Sequence, residues 1–184
     1  ASSGGECWIV GGNGGATVQA GPTGSLLSFA HGAPPTSLTN LRLVGTVNSE
    51  CELLWMENCS FASPGPWALN QSALHISAGR AELHGITFTH LLAGAMQVSG
   101  GYVRVWDSVL ANNMARRGAA ADVSGGVLIF VRSALTDNTA SDGGGALAVS
   151  AGFVLLLNQS LLEGNAAPHG GSMLMKGAGI VAYG

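Results

Sequence analysis

The chain has 184 residues, a length typical of one domain, and only 9% of them are charged, against about 25% in an average protein. The net charge is −3, with seven Lys and Arg residues, so the chain lacks the basic surface of a nucleic-acid-binding protein. No apolar run approaches the roughly 18 residues of a transmembrane helix. Such low charge suggests a surface covered by glycan, partners or neighbouring structural units.

The first third of the chain, residues 1–51, is irregular. Trp8 and Val10, with Leu27 and Phe29, have the alternation of short strands and are predicted to form an initial coil. Residues 32–50, which contain two adjacent prolines, are predicted to be a long insertion. No signal peptide starts at Ala1, so we expect a processed protein or part of a longer one.

Residues 52–184 carry an internal repeat. Leu110, Leu135 and Leu162 each begin a Leu-x-x-Asn motif, and a cluster of Gly and other small residues follows each motif. Phe61 and Phe88 continue the series upstream. A repeat of about 25 residues is the signature of a solenoid or another repeat architecture.

Alternating apolar residues predict two strands in every repeat, with their inward side chains at equivalent positions. In the first strand these are Leu54/Met56, Ala81/Leu83, Val103/Val105, Leu128/Phe130 and Leu155/Leu157. In the second they are Leu74/Ile76, Met96/Val98, Ala121/Val123, Leu147/Val149 and Met173/Met175. Equivalent strands must then lie side by side and parallel, and parallel crossovers are right-handed. The prediction is an all-β fold, a right-handed parallel β-helix with about five recognisable coils, in a single domain over 1–184.

Polar residues at equivalent positions support this alignment. Asn113, Asn138 and Asn165 are predicted to form an asparagine ladder, in which stacked side-chain amides bond from coil to coil. Opposite charges also meet in neighbouring coils, as Glu82 with Arg104 and Asp107 with Arg132.

Apolar residues at predicted outward positions are the strongest functional clue. They cluster on the last two coils, at Val127, Ile129, Val131, Val154 and Leu156. A contiguous exposed patch of this kind marks a contact. We therefore predict an interface with another subunit or domain, the alternative being cover by chain outside this sequence. The last coil begins at Ile180 without a polar cap, so we also expect this end to be continued or to pair with another subunit.

Sequons and cysteines bear on the compartment. Asn58, Asn70 and Asn158 begin Asn-x-Ser sequons, which predict N-linked glycans and a secreted protein, although such triplets also arise by chance. If the cysteines are oxidised, Cys7 and Cys51 form the favoured pair and Cys59 stays free and buried. Three free thiols are the alternative.

Catalytic groups are not evident. The ten acidic residues are scattered, whereas hydrolases of β-helix architecture need neighbouring carboxylates. Asp137, Asp142 and Glu163 share one region and could hold calcium, but a solvated turn is the preferred interpretation. We predict no enzyme activity, no cofactor and no metal.

The Leu-x-x-Asn motif, together with Gly144-Gly145-Ala146-Leu147, resembles the repeats of chlamydial polymorphic outer-membrane proteins. Similar repeats look to be present in large surface proteins of green algae. The resemblance covers residues 52–184. It implies the pectin-lyase-like class of β-helix and an extracellular, adhesive role.

The sequence therefore predicts an extracellular structural or adhesive module, a building block of a cell-surface or appendage filament such as a ciliary or cell-wall fibre. The expected partners are other subunits or copies of the chain, together with N-linked glycans. A carbohydrate-binding or polysaccharide-acting domain is the alternative.

Overall fold

A computed structural model describes residues 7–12, 15–19, 25–63, 71–176 and 179–183. These residues form strands joined by turns and contain no helix, hence none long enough to cross a membrane. In chain order the strands are Cys7–Val10 (β1), Ala16–Gln19 (β2), Ser25–Phe29 (β3), Thr36–Thr39 (β4), Leu41–Val44 (β5), Thr46–Ser49 (β6), Leu53–Glu57 (β7), Ser60–Ala62 (β8), Leu74–Ile76 (β9), Arg80–His84 (β10), Thr87–Thr89 (β11), Met96–Val98 (β12), Tyr102–Trp106 (β13), Val109–Ala111 (β14), Met114–Arg117 (β15), Ala121–Val123 (β16), Val127–Val131 (β17), Ala134–Thr136 (β18), Thr139–Gly143 (β19), Leu147–Val149 (β20), Phe153–Leu157 (β21), Leu161–Glu163 (β22), Met173–Met175 (β23) and Gly179–Tyr183 (β24).

Three long parallel sheets run along the molecule. Sheet A has the order β1-β4-β7-β10-β13-β17-β21-β24, sheet B the order β2-β5-β8-β11-β14-β18-β22, and sheet C the order β3-β6-β9-β12-β16-β20-β23. Strands β15 and β19 pair separately. Each turn thus contributes one strand to each sheet, which confirms the predicted parallel β-helix and adds a third sheet, sheet B, that carries the leucines of the Leu-x-x-Asn motifs.

The segment predicted to be an insertion is instead a regular turn. Strands β4, β5 and β6 pair on one side with β1–β3 and on the other with β7–β9. Leu38, Leu43 and Val47 are completely buried in the core. The insertion prediction was wrong because this turn is short: two of its corners are the single residues Asn40 and Gly45, and its strands lack the Leu-x-x-Asn and Gly-rich signals of the later turns.

The core is a continuous column between the three sheets. Inward side chains stack on their equivalents one turn away, and Phe61 lies on Phe88 with the ring centres 4.6 Å apart. Phe88 and Phe130 are among the largest fully buried side chains. Each Å² of apolar surface that the column removes from water stabilises the fold by roughly 25 cal/mol. Apolar burial is therefore the main interaction that holds the turns together.

Most corners of the triangular section contain a residue in the left-handed region. Between sheets A and B this residue has φ between 48° and 61° in successive turns: Asn40, Asn58, Gly85, Asp107, Arg132 and Asn158. Between sheets C and A it is a glycine in five of the described turns (Gly32, Gly79, Gly101, Gly126 and Gly152), whereas the corner at residues 50–52 has no residue at positive φ. An added Cβ at Gly126, for example, would lie 2.5 Å from the carbonyl oxygen of Gly101 one turn earlier, so this corner accepts no larger residue.

One corner is a residue longer than its neighbours, and this changes the register of the last full turn. Val131 is separated from Ala134 by two residues, whereas Leu157 is separated from Leu161 by three, with Asn158 and Gln159 both at positive φ. Leu128 therefore pairs with Val154 and Phe130 with Leu156. The predicted pairing with Leu155 and Leu157 was wrong by one residue, and such a slip exchanges the inner and outer faces of a strand.

The asparagine ladder lies inside the corner between sheets B and C. The Asn113 Nδ2 donates to Asn138 Oδ1 and to the Phe88 carbonyl, both at 3.0 Å. Asn138 repeats the pattern with Asn165 Oδ1 at 3.0 Å and the Leu110 carbonyl at 2.8 Å. Asn113 and Asn138 are completely buried, so these bonds satisfy backbone groups that water does not reach.

We expect Asn138→Ala to destabilise the protein by about 3 kcal/mol or more, because it leaves the Leu110 carbonyl and the Asn113 amide buried without their partners. Asn112→Gly is the matched control. Asn112 is exposed at φ 54°, a conformation that glycine adopts freely. Urea unfolding measures both variants, and equal stability of the two would contradict the role of the ladder.

Candidate binding surface on the outer face of sheet A

The outer face of sheet A carries the most unusual set of exposed side chains. This face divides into two areas, an aromatic zone and an apolar patch. The aromatic zone, on β1 to β13, comprises Trp8, Trp55, His84, Tyr102 and Trp106. The apolar patch, on β17 to β24, comprises Val127, Ile129, Val131, Phe153, Leu155, Leu157 and Val181.

Rings of the aromatic zone stack on one another. The Trp55 and His84 ring centres are 4.5 Å apart, and those of His84 and Trp106 are 5.9 Å apart with the planes within 5° of parallel. The Arg132 guanidinium lies 5.7 Å from the centre of the Trp106 ring and is held in turn by Asp107 at 2.7 Å. Such stacking and cation–π contacts restrict the conformations of these side chains.

A buried carboxylate organises the middle of this zone. Glu82 is only 5% exposed although it points outward. It accepts hydrogen bonds from Arg80 Nε at 2.8 Å and Trp106 Nε1 at 3.3 Å, and Arg104 lies 3.7 Å away. Because burial of an unpaired charge is costly, these contacts explain how the carboxylate is tolerated. The predicted pairing of Glu82 with Arg104 is confirmed, as is that of Asp107 with Arg132.

A slot opens within this zone, between Trp8 and Trp55. Both residues are in register with Ser37, which lies on the strand between them. Trp8 is 64% exposed and Trp55 37% exposed, whereas Ser37 is buried beneath them. The cavity has a volume of about 280 Å³, and Pro35, Thr36, Thr39, Leu53 and Glu57 complete its lining.

The apolar patch differs in part from its prediction. Val127, Ile129 and Val131 lie on the outer face as expected, with Ile129 and Val131 covered by their neighbours. Val154 and Leu156 instead belong to the core, so their assignment to the interface was wrong. The extra corner residue beside Asn158 turns Phe153, Leu155 and Leu157 outward in their place. The length of this corner, compared with Arg132-Ser133, is the sequence signal that would have revealed the shift.

Two of the sequons lie on the corner between sheets A and B. Asn58 and Asn158 are exposed there at φ 50° and 52°. Asn70 lies outside the described residues. Glycosylation of these sites stays a prediction.

The cysteines do not form the predicted bridge. All three are free thiols, with Cys7 exposed and Cys51 and Cys59 buried. Cys7 is on β1, and Cys51 lies two residues before the start of β7, two strands away. Two strand spacings are about 9.6 Å, beyond the roughly 7 Å that a disulfide spans between Cα atoms. Burial raises the pKa of the Cys59 thiol, which keeps it protonated and unreactive.

Acidic residues are dispersed over the described part of the chain. No three His, Cys, Asp or Glu side chains lie there in an arrangement that holds a metal ion. Asp142, one of the three residues considered for calcium with Asp137 and Glu163, lies 3.9 Å from Arg116.

Comparison with known proteins gives no match: no family model, no curated protein and no solved structure is significantly similar to the chain. The resemblance to polymorphic outer-membrane proteins and to the pectin-lyase-like class therefore stays an expectation from the motifs, while the parallel β-solenoid itself is shown by the structure.

Asp122 lies on the outer face of sheet C, between Gln97 and Ala148 of neighbouring turns. Burial raises the pKa of its carboxyl, and the nearby Arg117 offsets this only in part. A raised carboxyl pKa means that the folded state binds its proton more tightly than the unfolded state. The resulting cost to stability is absent below the unfolded pKa and grows as the pH rises through the folded pKa.

We expect Asp122→Asn to raise the Tm at pH 7 and to leave it nearly unchanged at a pH of about 2.5, where aspartate is protonated in both states. Asp107→Asn is the control of opposite sign, because the hydrogen bond from Arg132 lowers the pKa of Asp107. It should lower the Tm at pH 7. Thermal unfolding followed by circular dichroism at both pH values tests the pair, and a lower Tm for Asp122→Asn at pH 7 would refute the assignment.

Proposed function

We propose that the protein is an extracellular structural module that assembles with further copies of itself through the apolar patch. The observation that carries this proposal is the exposure of large apolar side chains on one flat face: Phe153 is 57% exposed and Val181 is 41% exposed. Contiguous exposed apolar surface of this kind is typical of protein contacts.

A second copy is the partner that the chemistry favours. None of the seven residues of the apolar patch carries a charge or a polar group. Two such patches can therefore be buried against each other about a two-fold axis without burying an unpaired charge of their own. A patch that selected a different protein would instead need charges or hydrogen-bonding groups to distinguish it.

The neighbouring side chains limit the contact on one side. Arg104 and Trp106 border the patch through their register with Ile129 and Val131. They form a polar and aromatic rim beside an apolar centre, which is the common anatomy of interfaces.

A filament requires a second contact, which we place at the edge formed by β22, β23 and β24. Another coil can extend the three sheets there, whether it belongs to the same protein or to another subunit. The proposed extracellular location is supported by the low charge and by the exposure of Asn58 and Asn158. A glycan at Asn158 would leave from the corner beside the patch and not from its centre.

We expect Val181→Glu to weaken self-association at least about tenfold, or 1.4 kcal/mol, because it places a charge inside the buried contact. Val109→Glu is the matched control, since Val109 is also 41% exposed but lies on the outer face of sheet B. Sedimentation velocity over a range of protein concentrations measures both variants against the wild type.

The proposal fails if the wild type stays monomeric at every concentration. It also fails if Val181→Glu and Val109→Glu weaken association equally, since the contact would then not lie on sheet A.

A further inference from the structure

The slot between Trp8 and Trp55 has the features of a ligand site that is separate from the apolar patch. Its walls are two indole side chains on opposite sides, and its floor is a single serine. At the position equivalent to Ser37, the neighbouring turns carry large side chains. The small side chain of Ser37 leaves a gap between them. We propose that this slot binds a glucose-configured pyranose residue of a neutral oligosaccharide.

The width of the slot follows from the sheet. Trp8 and Trp55 lie on β1 and β7 with β4 between them, so two strand spacings of about 4.8 Å separate their backbones by roughly 9.6 Å. Carbon contacts of 3.5–4.0 Å on both sides of a guest take up about 7–8 Å. The width that remains accommodates the pucker of one sugar chair between the two indoles. It is too small for a second ring stacked on the first.

The floor and one end of the slot are polar, and this decides the class of guest. Thr39 and Glu57 are side by side in register, next to Ser37 along the strand. Within the described residues, none of these three side chains makes a hydrogen bond or an ion pair. Ser37 and Thr39 hydroxyls can donate or accept, and the Glu57 carboxylate accepts from hydroxyl groups.

A pyranose matches this combination. It presents carbon-bound hydrogens on its two faces and hydroxyl groups around its rim. An aromatic side chain from a protein partner would fill the apolar walls but would leave the polar end without partners, which costs binding energy.

The charge and the two similar walls of the slot further restrict which sugars it can bind. Glu57 repels the carboxylate of a uronic acid, so a neutral sugar is favoured. Two apolar walls require that both faces of the ring be free of hydroxyl groups. In the glucose configuration the ring hydroxyls are equatorial, whereas mannose and galactose each place one axial hydroxyl on a face.

Titration with cellohexaose, β-1,4-mannohexaose and hexagalacturonate, followed by calorimetry, tests this assignment. We expect cellohexaose to bind, mannohexaose to bind at least about fivefold more weakly, and hexagalacturonate not to bind. Trp55→Ala removes one wall, and Ser37→Leu fills the slot while keeping both indoles. Each should weaken cellohexaose binding at least about tenfold. Met114→Ala, an exposed apolar residue on β15, should leave it unchanged.

The assignment is overturned if cellohexaose does not bind, if Ser37→Leu and Trp55→Ala bind it as well as the wild type does, or if mannohexaose or hexagalacturonate binds equally well. Circular dichroism of both variants establishes that they are folded. Because the slot and the apolar patch share no residue, failure here leaves the self-association proposal standing, and the reverse is also true.

Discussion

The in-register stacking of turns is the constraint on which the rest of the structure depends. Every strand pairs with its equivalent one turn away, so each side chain lies above another from the same position. Stacking works only if every turn closes at the same corners, and left-handed residues such as Asp107 and Arg132 provide this closure. The buried amides of Asn113 and Asn138 then satisfy backbone groups that the turns leave unpaired.

The same stacking creates the outer face of sheet A. Because residues at one position line up along the molecule, a few substitutions from turn to turn change the character of the whole face. Aromatic and charged side chains lie around Glu82, and aliphatic side chains lie around Ile129. The paired arginines and stacked rings are held by their neighbours and form a rigid surface. Side chains held in this way offer a preorganised surface for contact.

Much of the fold could be predicted from the sequence, because the repeat of Leu-x-x-Asn and the alternation of apolar residues directly indicate stacked parallel strands. The short turn around Leu38 could not be predicted, because it forms the three strands but lacks the Leu-x-x-Asn and Gly-rich motifs. The exchange of faces at Val154 arose from one extra corner residue, Gln159, whose effect depends on where the chain turns. The slot at Ser37 could not be predicted either, because it depends on Trp8 and Trp55 lying two strands apart, a relation that only the correct assignment of the short turn reveals.

Hydroxyl-radical footprinting of the native material, read by mass spectrometry, tests the central claim most directly. Phe153 and Met114 are similarly exposed in the single chain, at 57% and 53%, but only Phe153 lies in the apolar patch. The account predicts that Phe153 is protected from oxidation in the native material and becomes reactive when the material is dissociated, while Met114 is oxidised in both. Equal oxidation of Phe153 before and after dissociation would contradict it.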